Sequence, residues 1–273
     1  MLVVGVAATV YWFWVPSIAA GGLLHPQRRR VQRPMPAMCA NETIEGAGVR
    51  LAAWRCRARR TARGTIVYLH GVADNRGSAA GWIDRLTARG YDVVAYDSRA
   101  HGDSEGDDCT YGFFEKQDLA RVLDTVGAGP IVLVGTSLGA SVALQEAAID
   151  PRVSAVVAAE AFSDLRTVST ERAPRLLTPA VIRRAFVEAE REAHFQVDAV
   201  SPVSAAGHIT VPVLLIHGER DVDTPPAHSQ RIFAALPGPK RLILVPGVGH
   251  NASMTPEIQR AVLEWIDYIP RHA

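Results

Sequence analysis

Apolar residues in this chain come in short unbroken runs, and between the runs they return every third or fourth position. Thr65 to Leu69, Asp92 to Tyr96, Ile131 to Val134, Val153 to Ala159, Val211 to His217 and Arg241 to Val245 are such runs, rich in Val, Ile and Leu. Each is too short for a helix and reads as a buried strand. Ala79 to Arg89, Phe113 to Val126, Leu138 to Ile149, Pro226 to Ala235 and Pro256 to Ile269 carry helical spacing. Strand and helix alternate from Thr65 onward, which predicts an α/β domain with a mostly parallel sheet covered on both faces. Asn41 to Arg57 reads as two strands about the turn Glu45-Gly46-Ala47-Gly48.

Two stretches break the rhythm. Ala161 to Ile209 is an insertion with Pro174, Pro179 and Pro202, and Val181 to Phe195 within it has the spacing of an amphipathic helix. Following a strand of this sheet, it is placed to cover a site as a lid; a peripheral helical excursion is the alternative. Leu2 to Pro26 contains no charged residue and is long enough to span a bilayer, and Arg28, Arg29, Arg30 and Arg33 follow it. That charge asymmetry predicts a membrane anchor over residues 1–33 with the domain on the cytoplasmic side. A cleaved signal, leaving a secreted or periplasmic protein, and a buried or lid-like hydrophobic arm are the alternatives. Val31 to Ala40 is Pro-rich and reads as an extended connector into a domain over residues 34–273.

Composition narrows this little. The chain has 273 residues, 48% hydrophobic and 21% charged, enough for one large domain with a substantial core. A net charge of +1 gives no pull toward nucleic acid. Cys39, Cys56 and Cys109 lack metal-ligand spacing and read as free thiols, with a Cys39–Cys56 disulfide as the alternative.

Candidate chemistry gathers at strand ends, where such sheets place their sites. Gly135-Thr136-Ser137-Leu138-Gly139 joins a strand to a helix and has the pattern that presents a serine hydroxyl on a strained turn. A serine nucleophile needs a base, and the base an orienting acid. His250 lies in the Gly-rich loop after the last strand. Asp221 lies in the loop after Val211 to His217, with Asp223 and Glu160 as the other candidate acids. An oxyanion needs two donors, read here as the amides of Leu138 and Val72. His70 reads as shaping the loop before Val72, not as the base.

These segments, with His70-Gly71, Asp97 to Gly106, His217 to Asp221 and Gly249-His250, resemble the α/β-hydrolase fold from about Thr65 to the C-terminus. The likeness is to serine hydrolases of the monoacylglycerol-lipase-like and acyl-peptidase-like esterase groups. Gly22 to Pro26 and the following arginines resemble some bacterial anchored hydrolases over a short stretch. Ala100 stands where the family usually has Gly. The resemblance favours Asp221 over Asp223, and the expected chemistry requires no cofactor or metal. It implies hydrolysis of a small-molecule or lipid ester, as a carboxylesterase or lipase. A thioesterase or protein deacylase and a serine peptidase are alternatives on the same triad. A non-catalytic binding protein on this fold is the alternative of another class, and Ser137 argues against a dehalogenase, which commonly has aspartate there.

Overall fold

The computed structural model describes residues 2–269, with side chains from residue 11 onward. Met1, residues 270–273 and the side chains of residues 2–10, which the expected anchor and domain include, lie outside the described set. In chain order the elements are α1 (Leu2–Leu24), β1 (Cys39–Glu45), β2 (Arg50–Cys56), β3 (Thr65–Leu69), α2 (Ala80–Ala88), β4 (Asp92–Tyr96), α3 (Glu115–Asp124), β5 (Ile131–Thr136) and α4 (Leu138–Ala147). Then come β6 (Val153–Ala159), α5 (Leu165–Arg172), α6 (Pro179–Glu192), α7 (Pro202–Ala206), β7 (Val213–Gly218), α8 (Ala227–Ala235), β8 (Lys240–Val245) and α9 (Pro256–Tyr268).

The eight strands form one sheet in the order β1-β2-β4-β3-β5-β6-β7-β8. β2 runs antiparallel to both of its neighbours, and all other pairs are parallel. The unbroken apolar runs follow from this. Leu133 packs into the core on one face, while Val132 and Val134 pack into the core on the other. A strand covered on both sides has no polar face to show in its sequence.

Small shifts at element ends have large effects. β1 begins at Cys39, inside the stretch expected to be connector, and its register sets Cys39 opposite Cys56. The two are joined by a disulfide. The free-thiol reading is therefore corrected for this pair, and Cys109 is the free, buried cysteine. In the insertion, α6 starts two residues earlier than expected, because Thr178 caps it and Pro179 takes its first turn. It ends at Glu192, short of His194, which has φ +53°.

The insertion divides in two. Ala206 and Ile209 join the core on one face of the sheet. Phe162, Leu165, Val168, Phe186 and Phe195 form a separate cluster with Ala20 and Leu24 of α1.

That cluster bears on the anchor expectation, which the described residues do not support. Among the described residues no helix is long and apolar enough to cross a membrane. From residue 11 onward α1 lies against the insertion. Ser17 donates to Glu188, Tyr11 to the Leu176 carbonyl, and His25 meets Glu192 at 2.9 Å. Arg28 donates to the carbonyls of Ser104 and Gly106, so the basic flank begins by docking on the domain. An uncharged run covered by protein on one side has the same composition as one covered by lipid. Here the buried or lid-like arm describes residues 11–24.

Candidate active site

Four neighbouring strands each deliver one polar side chain to one edge of the sheet. Ser137 follows β5, Glu160 follows β6, Asp221 follows β7 and His250 follows β8. Ser137 has φ +48° and ψ −111°, a conformation costly for a side-chain-bearing residue. The surroundings hold it there. A Cβ on Gly135 would stand 2.4 Å from the Gly139 carbonyl carbon, and one on Gly139 would stand 2.3 Å from the Leu69 carbonyl oxygen. Without those methyl groups strand and helix close up, and the turn has to be sharp. The Ser137 amide is tied to the Ala159 carbonyl at 2.8 Å.

His250 bridges the serine and an acid. Its Nε2 lies 3.1 Å from Ser137 Oγ, and its Nδ1 lies 2.6 Å from Asp221 Oδ2. Asp221 is an acceptor only, so the proton belongs on Nδ1 and Nε2 is left to accept from the serine. The other oxygen of Asp221 accepts from the amides of Asp223 and Thr224, at 3.0 and 2.8 Å. Burial pushes the Asp221 carboxyl up, but hydrogen bonds from His217, His250 and the Thr224 amide outweigh it. The group stays well below the usual carboxylate range and is charged at neutral pH.

The three candidate acids are placed differently. Asp223 is exposed, and its main chain, not its carboxylate, meets Asp221. Glu160 is buried, with φ +57°, and lies 3.8 Å from His250 Nδ1. Its carboxylate accepts from the amides of Asn251 at 2.6 Å and Ser253 at 3.1 Å. It therefore clamps the loop that carries His250.

His217 has a place here that its sequence position alone did not assign. It is fully buried behind Asp221, 3.3 Å from Oδ2, and donates from Nε2 to the Thr224 carbonyl at 2.6 Å. A histidine ending an apolar strand is the signal that could have found it, since a buried imidazole needs partners at both nitrogens. Its Nδ1 meets Ser229 Oγ at 2.6 Å. His70 meets the Gly71 carbonyl from Nδ1 and accepts the Ser98 amide at Nε2, holding the loop before Val72. The amides of Val72 and Leu138 have no acceptor among the described residues.

A second serine, histidine and glutamate meet at Ser163, His228 and Glu171. His228 Nδ1 accepts from the Ser163 amide and Arg231, and Nε2 faces Glu171 at 2.8 Å. This set ties α5 to α8. Metal donors also cluster twice among the described residues, as Glu160, Asp221 and His250 and as His25, Asp108 and Glu192. In the first, the carboxylates are already engaged by N–H donors.

Two chambers meet at Ser137. One is an apolar cavity of about 490 Å³, lined by α1, α5, α6 and Leu138. The other, about 330 Å³, is more polar and holds His250, Asn251, Arg172 and Asp223. Val72, Ser137 and Arg172 line both. Arg172 is fixed by bonds to the Asp223 carbonyl and to Thr224 Oγ1.

The family model for the alpha/beta hydrolase family matches residues 66–262. The chain belongs to that family. It is 30% identical over 216 residues to the uncharacterized protein YqkD of Bacillus subtilis, covering 74% of this chain and 71% of that one. It is 26% identical over 251 residues to the uncharacterized protein YfhR of Escherichia coli, covering 87% and 82%. Among solved structures, the Pyrococcus furiosus esterase Pf2001 aligns with a TM-score of 0.71 at 21% identity, over 89% of this chain and 99% of that one. Est1E from Butyrivibrio proteoclasticus, bound to ferulic acid, aligns at 0.69 and 18%, over 84% and 98%. These two likenesses speak for the fold, an alpha/beta hydrolase fold. Membership of the family supports reading the protein as a hydrolase.

Proposed function

We propose that the protein hydrolyses carboxylic esters of apolar acyl groups through an acyl-enzyme on Ser137. The observation that carries this is the serine–histidine–aspartate relay at 3.1 and 2.6 Å opening onto an apolar cavity of about 490 Å³. In the first step His250 Nε2 takes the Ser137 proton as Oγ attacks the ester carbonyl. The free amides of Val72 and Leu138 receive the charge that develops on the carbonyl oxygen. The imidazolium, stabilised by Asp221, returns its proton to the departing alcohol on the side of the polar chamber. Water activated by His250 then cleaves the acyl-enzyme, and the acyl group leaves from the apolar side.

The insertion over residues 161–209 acts as the lid in this reading, and α1 completes its wall. The disulfide between Cys39 and Cys56 favours an oxidising compartment, hence the extracytoplasmic location over the cytoplasmic one. Thioesters of the same acyl groups fit the same cavity, so ester and thioester rates are to be measured side by side. Ser137→Ala should abolish turnover of p-nitrophenyl esters and labelling by a fluorophosphonate while the circular dichroism spectrum is kept. Wild-type turnover in that variant would end the proposal.

A further inference from the structure

We infer that α1 is a wall of the acyl-binding groove and that Ile18 and Ala19 help set which acyl lengths are accepted. This rests on the acyl-ester reading above and adds the binding surface for the acyl chain.

The cavity is lined on one side by Val15, Ile18, Ala19, Gly22 and Leu23. These stand at i, i+3, i+4, i+7 and i+8, one continuous stripe of a helix. The opposite wall comes from α5 and α6, with Leu165, Val168 and Phe186 buried in the cluster that also takes Ala20 and Leu24. Ser137 lines the same cavity.

Two features of the stripe point to an absent apolar guest. Ile18 is 70% exposed although it lines the cavity, so the fold leaves this branched side chain without a cover. A small residue, Ala19, stands beside it, and a Cβ on Gly22 would meet no heavy atom within 4 Å. A helix that served only to close the core would fill such positions. Its remaining contacts hold α1 at a fixed distance from α6: Ser17 on Glu188, His25 on Glu192, and the Arg184 guanidinium over the Trp12 ring at 4.9 Å. Ala20 and Leu24 pack in one cluster with Phe186 and Ala189 of α6, so the stripe is held in a fixed place on the cavity. An extended acyl chain attached to Ser137 would lie in the cavity along this stripe and cover Ile18.

The test is an acyl-length series of p-nitrophenyl esters, from acetate to laurate below their micellar concentrations, on the full chain. The reading is the ratio of kcat/KM for laurate to that for butyrate. Ile18→Asn changes an exposed residue, for which the folded state has little to lose. It should lower the ratio about tenfold, the order expected when an apolar contact in a pocket is lost. Ala19→Phe should shift the preferred length toward shorter esters. Trp14→Asn, an equally exposed change on α1 outside the cavity, should leave the ratio unchanged.

An active wild type whose ratio is untouched by Ile18→Asn overturns the inference and leaves the ester proposal standing. An equal fall in Ile18→Asn and Trp14→Asn also overturns it, because it would make the helix a general apolar surface instead of a groove wall. A wild type inactive on every ester removes the ester proposal itself.

Discussion

Replacing the three carboxylates around His250 one at a time should separate their roles, and the structure gives the expected order. The imidazolium that forms during proton transfer is stabilised by nearby negative charge. At an effective dielectric constant of 20, a unit charge at the 2.6 Å of Asp221 contributes about 6 kcal/mol, and one at the 3.8 Å of Glu160 about 4 kcal/mol. Asp221→Asn removes the larger contribution and also the acceptor that keeps the proton on Nδ1. Its kcat/KM should fall on the order of 10⁴-fold. Glu160→Gln keeps the size of the side chain and one acceptor. Part of its field is screened where His250 reaches solvent, which leaves about 2 kcal/mol, or roughly 30-fold. Its loss should appear in kcat more than in KM, because the charge matters only once the imidazolium forms. Asp223→Asn leaves the amide that holds Asp221 in place and should cost no more than about fivefold, since surface changes have small effects. The assay is initial rates on p-nitrophenyl butyrate at pH 8, with near-ultraviolet circular dichroism to check folding. A Glu160→Gln variant with wild-type kcat would refute the charge argument. A fall in Asp223→Asn matching that in Asp221→Asn would overturn the choice of acid.

Three further outcomes concern stability. Gly139→Ala drives a methyl into the Leu69 main chain and should destabilise the protein by at least about 2 kcal/mol, read as a lower urea midpoint; an unchanged midpoint would mean that strand and helix can part. The Cys39–Cys56 bond closes a loop of 17 residues, so reduction should cost about 3 kcal/mol, and coincident urea curves with and without dithiothreitol would contradict this. Burial raises the Glu146 carboxyl to about 7, and its Oε2 has no hydrogen-bond partner among the described residues. The folded state therefore holds its proton longer than the unfolded state does. Stability should be lost as pH rises from about 4.5 to about 7 and stay low above that. Glu146→Gln should gain about 1–3 kcal/mol at pH 8 and almost nothing at pH 4, and an equal effect at both would show that burial of the charge is not the cause.

How far the chain could be read without its structure depended on what kind of neighbour each residue has. Strands β3, β5 and β7 were legible because a strand buried on both faces is apolar at every position, whatever packs on it. Ser137, Asp221 and His250 were legible as strand-end residues, and the structure brings them within hydrogen-bond distance. Glu160 was legible only as a spare acid. Its hold on the amides of Asn251 and Ser253 depends on the main chain of a loop more than ninety residues away, which has no signature in side-chain type. Choosing the Cys39–Cys56 disulfide over free thiols turns on two residues at the start of β1, since a strand begun at Asn41 leaves Cys39 unpaired. In a paired strand, register alone decides whether two cysteines face each other. For α1 the difficulty was more general. Hydropathy reports that a segment leaves water and is silent on whether lipid or protein receives it. The distinguishing marks were Ser17 and His25, polar residues beside an otherwise apolar helix, and they meet Glu188 and Glu192 on α6. Those two carboxylates are one turn apart on a single helix face, as are the apolar positions of α6 that line the cavity. A helix that offers charged acceptors beside an apolar stripe is matched to a partner with the same arrangement. The pairing of α1 with α6 was thus written in both segments. It could be read only by comparing them, since each alone looks like an ordinary apolar or amphipathic helix.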